Sequence, residues 1–378
     1  MLDQEKVFSV LAEHGVTFFT GVPDSYLNGF CNYALKHCGE RNLIAANEGN
    51  AVGIASGYYF AAGKIPLVYL QNSGMGNLLN PLVSLADKTV YRVPMLLLIG
   101  WRGQPGTGDH PQHELQGEIT PGLLDLMRIP YTVLSDDEEA FAEAVKKAAD
   151  YCNEFRQPYA FLSPKGIMAS GEKANDRDDT YPLSREEAIE IILEHMPTDT
   201  IYSATTGRAT RELFFLREKR KESRSHDFLN VGSMGHASSV ALGIAREKPD
   251  RKMVVLDGDS AAIMHLGAMT MVSRLSVPNY MHVVLNNGAH ESVGGQPSAG
   301  YQVDFTAIAQ ACGYATVGHA VTGKAELIEA VRILKDCGRA SFLDCRIHKG
   351  LNSSLPPIHF SHQEAIDALM KELQSYGR

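Results

Sequence analysis

Two polar motifs, each placed directly after an apolar run, carry the clearest chemistry in this sequence. The motif at 257–261 (DGDSA) follows the apolar run 253–256, and the motif at 286–288 (NNG) follows the apolar run 281–285. In a right-handed βαβ unit the two strands are parallel, so both motifs leave the same carboxyl edge of the sheet. The side chains of Asp259 and Asn287 are therefore predicted to converge.

These two motifs have the composition of a magnesium and phosphate site. A carboxylate and an amide oxygen are hard ligands of the kind that Mg²⁺ prefers, with waters and ligand phosphates completing the coordination. Gly258 permits a tight turn, and the backbone amides of Ser260 and Ala261 at a helix start can receive a phosphate. Either motif alone is more typical of an ordinary turn. An EF-hand is a poorer interpretation, because the twelfth position counted from Asp257 is Ala268 rather than Glu.

Glu48 is a second chemical candidate, at the predicted start of a helix rich in small residues, 51–57 (AVGIASG). Close packing around small side chains removes water from a carboxylate, which favours its protonated form and a proton shared with a ligand. The alternative is a solvent-exposed Glu that is stabilised by the helix dipole.

Further candidates for acid, base and anion-binding roles lie on predicted loops. Histidine can transfer protons near neutral pH, and arginine makes bidentate contacts with oxyanions. The candidate acids and bases are Asp24, Ser25, His110, His113 and His290, and the candidate anion ligands are Arg102, Lys165, Arg208 and Arg211. The string 109–113 (DHPQH) also allows a zinc cluster or an ordinary surface loop. Pro111 interrupts helical spacing there, and no third zinc ligand is evident.

The elements that must position these residues follow an α/β pattern. Asp3 can cap a helix that ends near Gly15, and Ser184 with Glu187 forms a capping box that begins another helix. Apolar runs with polar, glycine-rich exits are typical of parallel sheets. Such strands are predicted at 16–19, 67–70, 95–99, 200–203, 253–256 and 281–285. The predicted fold is therefore α/β, with two doubly wound parallel-sheet domains.

A polar stretch between 163 and 181 loses hydrophobic periodicity and predicts an interdomain linker. The predicted bounds are 1–166 for the first domain, 167–182 for the linker and 183–378 for the second domain. A chain of 378 residues is long enough for these two domains without a third between them.

Composition excludes several classes of protein. The net charge of −9 gives no general basic field for nucleic acid or anionic lipid, so an anionic ligand must be met by local charge. The six cysteines show no zinc or disulfide spacing, which indicates reduced thiols. The first residues lack the order of a signal peptide, and no run is long and apolar enough for a membrane span. We expect a cytoplasmic protein with a small-molecule substrate and with neither nucleic acid nor membrane as partner.

The motif 258–260 followed by 286–287 resembles the diphosphate and magnesium motif of thiamine diphosphate-dependent enzymes. That resemblance implies that Asp259, Asn287 and the backbone oxygen of Ala289 hold Mg²⁺. Ser260 departs mildly from the pattern, since glycine is usual there. The resemblance assigns the two domains as pyrimidine-binding and diphosphate-binding.

The resemblance extends to the residues expected around the organic cofactor. Glu48, in the string 47–51 (NEGNA), would hydrogen-bond the aminopyrimidine ring. The carbonyl of Gly232 would accept from the amino group, and Met234 would hold the two rings in a bent conformation. Thr206 and Gly207 resemble a further diphosphate contact.

Two longer strings, 19–25 (FTGVPDS) and 286–297 (NNGAHESVGGQP), resemble the short decarboxylases of this family, which lack a middle domain. This implies decarboxylation of a 2-oxo acid that carries a second acidic group, a phosphonate ahead of a sulfonate. It also implies a homo-oligomer, at least a dimer, with active sites between subunits. The alternatives are a carboligating enzyme, as in the acetolactate synthase group, and a noncatalytic cofactor-binding regulator, which would not need Glu48.

Overall fold

The computed structural model describes residues 1–168, 180–350, 352, 355 and 361–375. Contacts divide the chain into two units: Met1–Ala174 with His290–Gln296, and Asn175–Ala289 with Pro297–Arg378. Most of the predicted linker, at 169–179, lies outside the described residues. The predicted domain bounds therefore stay a prediction.

The first unit is built on a six-stranded sheet in which every pairing is parallel. The strand order is β2-β1-β3-β4-β6-β5. The strands are β1 (Phe19–Gly21), β2 (Asn42–Ile44), β3 (Leu67–Gln71), β4 (Leu96–Gly100), β5 (Tyr131–Val133) and β6 (Tyr159–Ser163). The helices are α1 (Gln4–Glu13), α2 (Asn28–His37), α3 (Glu48–Ala62), α4 (Met75–Pro81), α5 (Pro111–Leu126) and α6 (Glu138–Phe155).

Local sequence explains the ends of these elements. Asp3 caps α1 by accepting from the amide of Lys6, and Gly15 follows the helix with a positive φ of 77°. The first strand begins at Phe19 rather than at the predicted residue 16, because the amide of Val16 donates to Leu11 of α1 and not to the sheet.

The second unit contains a five-stranded parallel sheet in the order β13-β10-β9-β7-β8. The strands are β7 (Ile201–Ala204), β8 (Asp227–Leu229), β9 (Met253–Gly258), β10 (Tyr280–Asn286) and β13 (Ser341–Arg346). The short strands β11 (Ala289–His290) and β12 (Gln296–Pro297) pair with each other. The helices are α7 (Arg185–His195), α8 (Arg208–Arg220), α9 (Ala237–Glu247), α10 (Asp259–Met264), α11 (Phe305–Ala311), α12 (Lys324–Leu334) and α13 (His362–Ser375).

Each sheet has buried apolar clusters formed with its helices. The central strands are buried along most of their length, which is the pattern expected for parallel strands that are covered on both faces. The capping box of Ser184 and Glu187 is present at the start of α7. No helix of the described residues is long and apolar enough to cross a membrane.

Three local predictions were wrong. Arg208 and Arg211 lie in α8, where Arg208 is the first residue, and not on a loop. Pro111 does not interrupt a helix, because it is the first residue of α5, where its missing N–H costs no hydrogen bond. The turn after β7 ends at Gly207, whose φ is 97°, and α8 begins at the next residue, so both arginines are helical.

Candidate active site

The carboxylate of Glu48 lies at the first position of α3 and is only 5% exposed. Asn47 caps the helix, so the backbone of Glu48 is fixed. Its Oε2 accepts from Nδ2 of Asn77 at 2.7 Å, and a Cβ on Gly74 would stand 2.1 Å from its Oε1. Burial raises the pKa of Glu48, as the small-residue pattern predicts, and the hydrogen bond from Asn77 opposes that rise. A solvent-exposed Glu is excluded.

A second cluster of the first unit contains the predicted residues Ser25 and Arg102. The Arg102 guanidinium donates through Nη1 to Oγ of Ser25 at 3.2 Å and lies over the ring of Tyr26, 4.7 Å from its centroid. The same guanidinium pairs with Asp109, whose carboxylate also accepts from the Tyr26 hydroxyl at 3.1 Å. Only 14% of the Arg102 side chain is exposed. These contacts hold the Arg102 guanidinium in one position, and part of one edge of that group stays accessible to a ligand.

The backbone of Arg102 is held by the side chain of Asn72 in both directions. Asn72 accepts from the amide of Arg102 at 3.1 Å and donates to its carbonyl at 2.8 Å. It also donates to Thr120 on α5 at 3.0 Å. The next residue, Gly103, has a φ of 67°, and a Cβ there would stand 1.9 Å from the carbonyl of His113. The loop after β4 can therefore follow only a narrow range of paths.

Asp24 is fully buried and serves as a cap rather than as an accessible acid. Its Oδ2 accepts from the amide of Tyr26 at 2.9 Å and begins the short turn Ser25–Leu27. A Cβ on Gly100 would stand 2.1 Å from the same oxygen. Burial raises the pKa of Asp24 to about 6. Its lack of exposed surface favours a structural role, and its predicted role in proton transfer remains untested.

The remaining candidates of the first half lie near the Arg102 loop. His110 precedes α5 and is exposed, whereas His113 is half-buried in the first turn of that helix. Burial, with a smaller contribution from the charge of Arg102, lowers the pKa of His113. Lys165 is exposed in the turn after β6. Among the residues that the structure describes, no group of three metal-ligating side chains exists, so the zinc interpretation of 109–113 finds no support.

His290 belongs to the first unit although it lies far along the chain. The segment that carries it is fixed by Gln296, whose Nε2 donates to Oδ1 of Asn28 at 3.1 Å and to Oδ1 of Asn32 at 2.7 Å. Gln296 is completely buried. Burial lowers the pKa of His290 to about 4, so its imidazole is neutral at pH 7.

The second unit brings the two polar motifs together at the carboxyl ends of β9 and β10. Asp259 is 2% exposed and Asn287 is 4% exposed. The backbone amide of Asn287 hydrogen-bonds the carboxylate of Asp259, and the hydroxyl of Ser298 donates to the same group. Burial raises the pKa of Asp259 to about 6. Oδ1 of Asn287 accepts from the amide of Ala289 at 3.2 Å.

Asn286, the other asparagine of the second motif, hydrogen-bonds two further segments of the second unit. Its Nδ2 donates to the carbonyl of Gly300 at 2.8 Å and to Asp344 at 3.2 Å. A Cβ on Gly300 would stand 2.6 Å from Oδ2 of Asp259, so only glycine fits there. Asn286 therefore fixes the backbone of Gly300, the residue that packs against Asp259.

The predicted cofactor contacts of the second unit lie on turns around these motifs. Thr206 and Gly207 follow β7, and Gly258 ends β9 directly before α10, which begins with Asp259, Ser260 and Ala261. The turn with Gly232 and Met234 has an unusual backbone, because Ser233 between them has a φ of 52° and Gly235 a φ of 85°. Arg211 is bonded to the carbonyl of Leu355. These positions fit a phosphate-bearing ligand with a divalent ion, since buried oxygen ligands and glycine turns converge there.

Comparison with known proteins identifies the family. The thiamine pyrophosphate enzyme N-terminal TPP binding domain matches residues 4–125, and the corresponding C-terminal TPP binding domain matches residues 206–345. The phosphonopyruvate decarboxylase of Streptomyces viridochromogenes is 36% identical over 336 residues, which cover 84% of this chain and 81% of that protein. This chain belongs to the thiamine diphosphate-dependent decarboxylase family.

Two further relatives are similar over comparable lengths. The phosphonopyruvate decarboxylase of Streptomyces hygroscopicus is 35% identical over 84% of this chain and 80% of its own length. The sulfopyruvate decarboxylase of Methanosarcina acetivorans is 28% identical over 96% of this chain and 95% of its own. Membership of the decarboxylase family confirms the predicted fold, the enzyme class and thiamine diphosphate as cofactor.

Sequence reasoning missed four residues that hold the candidates in place. Asn77 contacts Glu48, Asn72 and Asp109 hold Arg102, and Gln296 anchors the segment of His290. Asn72 and Asn77 belong to the string 71–77 (QNSGMGN), a polar, glycine-rich exit from β3 of the kind that places side chains at the edge of a parallel sheet. Asp109 was considered only as part of a zinc string.

Proposed function

We propose that this enzyme catalyses the non-oxidative decarboxylation of 3-phosphonopyruvate to phosphonoacetaldehyde and carbon dioxide, with thiamine diphosphate and Mg²⁺. The observation that carries the proposal is the buried carboxyl of Glu48 at the start of α3, with a pKa raised by burial. A cofactor-binding regulator would have no need for such a group. The choice of substrate rests on relatives at 35 and 36% identity that are phosphonopyruvate decarboxylases.

In this proposal, the second unit holds the diphosphate. Asp259, Asn287 and the backbone oxygen of Ala289 would coordinate Mg²⁺, with Gly258, Ser260, Ala261, Thr206 and Gly207 beside the phosphates. Gly232 and Met234 would hold the rings. When bound, thiamine diphosphate supplies the electron sink that protein side chains lack. Glu48 would exchange a proton with the pyrimidine ring, and burial, which raises the pKa of this carboxyl, favours the protonated form that can donate it.

Arg102 would bind an anionic group of the substrate. Its guanidinium is held on one side by Asp109, and Nη1 is directed toward Ser25. A fixed donor loses little conformational entropy when an oxyanion binds. His290 is neutral at pH 7 and can therefore accept or relay a proton near its loop, with His110 and His113 as the other candidates. The enzyme would act as at least a homodimer.

A comparison of three substrates tests the proposal. Carbon dioxide and aldehyde release would be measured from phosphonopyruvate, sulfopyruvate and pyruvate, with and without cofactor and Mg²⁺. We expect the largest kcat/KM for phosphonopyruvate, with no turnover when either addition is omitted. Equal or better use of sulfopyruvate would instead favour the second candidate, which the sulfopyruvate decarboxylase relative supports through its 95% coverage. Release of a coupled product from two pyruvates would indicate carboligation.

A further inference from the structure

The contact between Asn77 and Glu48 joins two helices of the first unit. Nδ2 of Asn77, on α4, donates to Oε2 of Glu48, on α3, at 2.7 Å. Asn77 is half-buried and Glu48 is almost fully buried, so little water competes for this bond. Hydrogen bonds to an ionised acceptor are about twice as strong as neutral ones, and a low local dielectric strengthens them further.

Two glycines allow this contact to form. A Cβ on Gly74 would stand 2.1 Å from Oε1 of Glu48, and a Cβ on Gly49 would stand 2.9 Å from the carbonyl oxygen of Asn77. Both distances are far shorter than ordinary van der Waals contact. The two helices therefore approach closely enough for the amide to reach the carboxylate only because neither position carries a side chain.

The chemistry of an amide group fixes what this contact does. The amide nitrogen of asparagine donates hydrogen bonds and cannot accept them. Oε2 of Glu48 accepts in this contact, and a carbonyl oxygen accepts better than a hydroxyl oxygen, so the contact favours the neutral form in which the acidic proton lies on Oε1. Oε1 is the oxygen that packs against Gly74, so closely that a Cβ there would stand 2.1 Å from it.

We propose that Asn77 is a positioning residue that makes Oε1 the atom through which Glu48 gives and receives its proton. The catalytic consequence rests on the role of Glu48 under the proposed function. When Glu48 gives up the proton, the O–H bond at Oε1 breaks and an N–H bond forms on the acceptor ring nitrogen. The N–H of Asn77 then stabilises the carboxylate that remains, and the reverse transfer restores the neutral acid.

The balance of forces on Glu48 agrees with this role. Burial raises the pKa of the carboxyl, and the bond from Asn77 acts in the opposite direction. Without the donor, the charged form would lose its main stabilising partner among the contacts described for this group. The pKa of Glu48 would then rise further, so loss of the proton would become less favourable.

The test uses two substitutions at residue 77 and one control. Asn77→Leu keeps the approximate size and removes the donor, and Asn77→Asp keeps the shape and replaces the donor with an acceptor. The control is Asn80→Leu, since Asn80 is exposed on the same helix. The titration of Glu48 is followed by carboxyl infrared absorption in cofactor-free protein, with Glu48→Gln as the blank. Thermal melting verifies folding, and kcat and KM are measured with cofactor and Mg²⁺.

We expect both Asn77 variants to shift the titration of Glu48 to higher pH. We also expect kcat to fall at least about tenfold, with little change in KM for the 2-oxo acid. The control variant Asn80→Leu should change neither the titration of Glu48 nor kcat. An unshifted titration in a folded Asn77→Leu or Asn77→Asp variant would overturn the inference. Because the titration needs no cofactor, it can succeed even if Glu48→Gln proves fully active, a result that would refute the proposed function alone.

Discussion

The guanidinium of Arg102 and the carboxylate of Asp109 form two parallel hydrogen bonds, from Nε to Oδ2 at 2.7 Å and from Nη2 to Oδ1 at 2.6 Å. Asp109 also accepts from the backbone amides of Gly103 and His110. Burial alone would raise the pKa of Asp109, but the bonds from Arg102 and the backbone outweigh it and hold that pKa well below its usual range. Asp109 is therefore a permanent partner for Arg102 at neutral pH.

Arg102→Lys should raise KM for the substrate about tenfold or more and change kcat less. Lysine keeps the positive charge but cannot bond Asp109 through two nitrogens while a third points at Ser25. The comparison is steady-state kinetics of Arg102→Lys and of Arg41→Lys, because Arg41 is exposed and far from this cluster in sequence. An unchanged KM in a folded Arg102→Lys protein would remove Arg102 from the substrate site.

Asp24→Asn should make the free energy of unfolding less dependent on pH. The pKa of Asp24 is about 6 in the folded protein and 3.8 for an unperturbed aspartate, so between these values Asp24 ionises mainly in the unfolded chain. Ionisation of the unfolded state favours unfolding, so this group lowers stability as pH rises from about 4 to 6. The difference between variant and native protein should grow by at most about 3 kcal/mol across that window. Urea unfolding at pH 4, 5, 6 and 7 measures it.

Gly74→Ala should abolish most activity while leaving a folded protein. The added Cβ would displace the Glu48 carboxylate from which it stands 2.1 Å away. Gly76→Ala is a matched control, because a Cβ at Gly76 would meet nothing within 4 Å. Activity and thermal melting of both variants would be compared. Equal activity in Gly74→Ala and Gly76→Ala would mean that catalysis does not depend on the observed position of the Glu48 carboxylate.

Asp259→Asn should weaken the apparent affinity of the enzyme for Mg²⁺. The substitution keeps one oxygen but removes the charge that attracts a divalent ion, so half-maximal activity should require at least about tenfold more Mg²⁺. A titration of activity against Mg²⁺ after treatment with EDTA measures this. If EDTA leaves the native enzyme fully active, the metal assignment fails.

Gln296→Leu should destabilise the protein by about 1–3 kcal/mol, because Asn28 and Asn32 lose a buried donor. If the segment 290–296 contributes to catalysis, kcat should fall as well. Gln302→Leu is the control, since Gln302 is exposed. Urea denaturation and steady-state kinetics distinguish the two effects. Native stability in Gln296→Leu would show that this anchor has no energetic importance.

Repeating patterns made the fold and the second polar site predictable from sequence. Apolar runs identified the buried strands, and the parallel geometry of β9 and β10 placed Asp259 and Asn287 at one edge, where the backbone amide of Asn287 bonds the Asp259 carboxylate. Convergence of the two side chains on a metal stays a prediction. The burial of Glu48 was predicted correctly, but the residues that pack on its carboxylate are Gly74 and Asn77 and not the small residues 51–57. These inferences needed only local pattern and the handedness of βαβ units.

Tertiary contacts made the supporting residues unpredictable. Nothing in the spacing of Asn77 and Glu48, or of Gln296 and Asn28, indicates that these side chains meet. Arg208 lies in a helix and not on a loop because the turn before it ends at Gly207. Asp24 and Arg102 are both polar residues on predicted loops. Asp24 is buried as a cap, whereas the guanidinium of Arg102 keeps an accessible edge. Exposure of this kind is set by packing and not by local sequence.

The first unit is discontinuous in sequence, since residues 290–296 complete it. A polypeptide ending at residue 174 would lack Gln296, the buried donor that joins Asn28 and Asn32. Splitting the gene at the apparent boundary would therefore separate seven residues from the structural unit to which they belong. The fragment 1–174 would lack part of its own structural unit until the other fragment supplied it, so a division at this point would make correct folding of the first unit depend on assembly of the two chains.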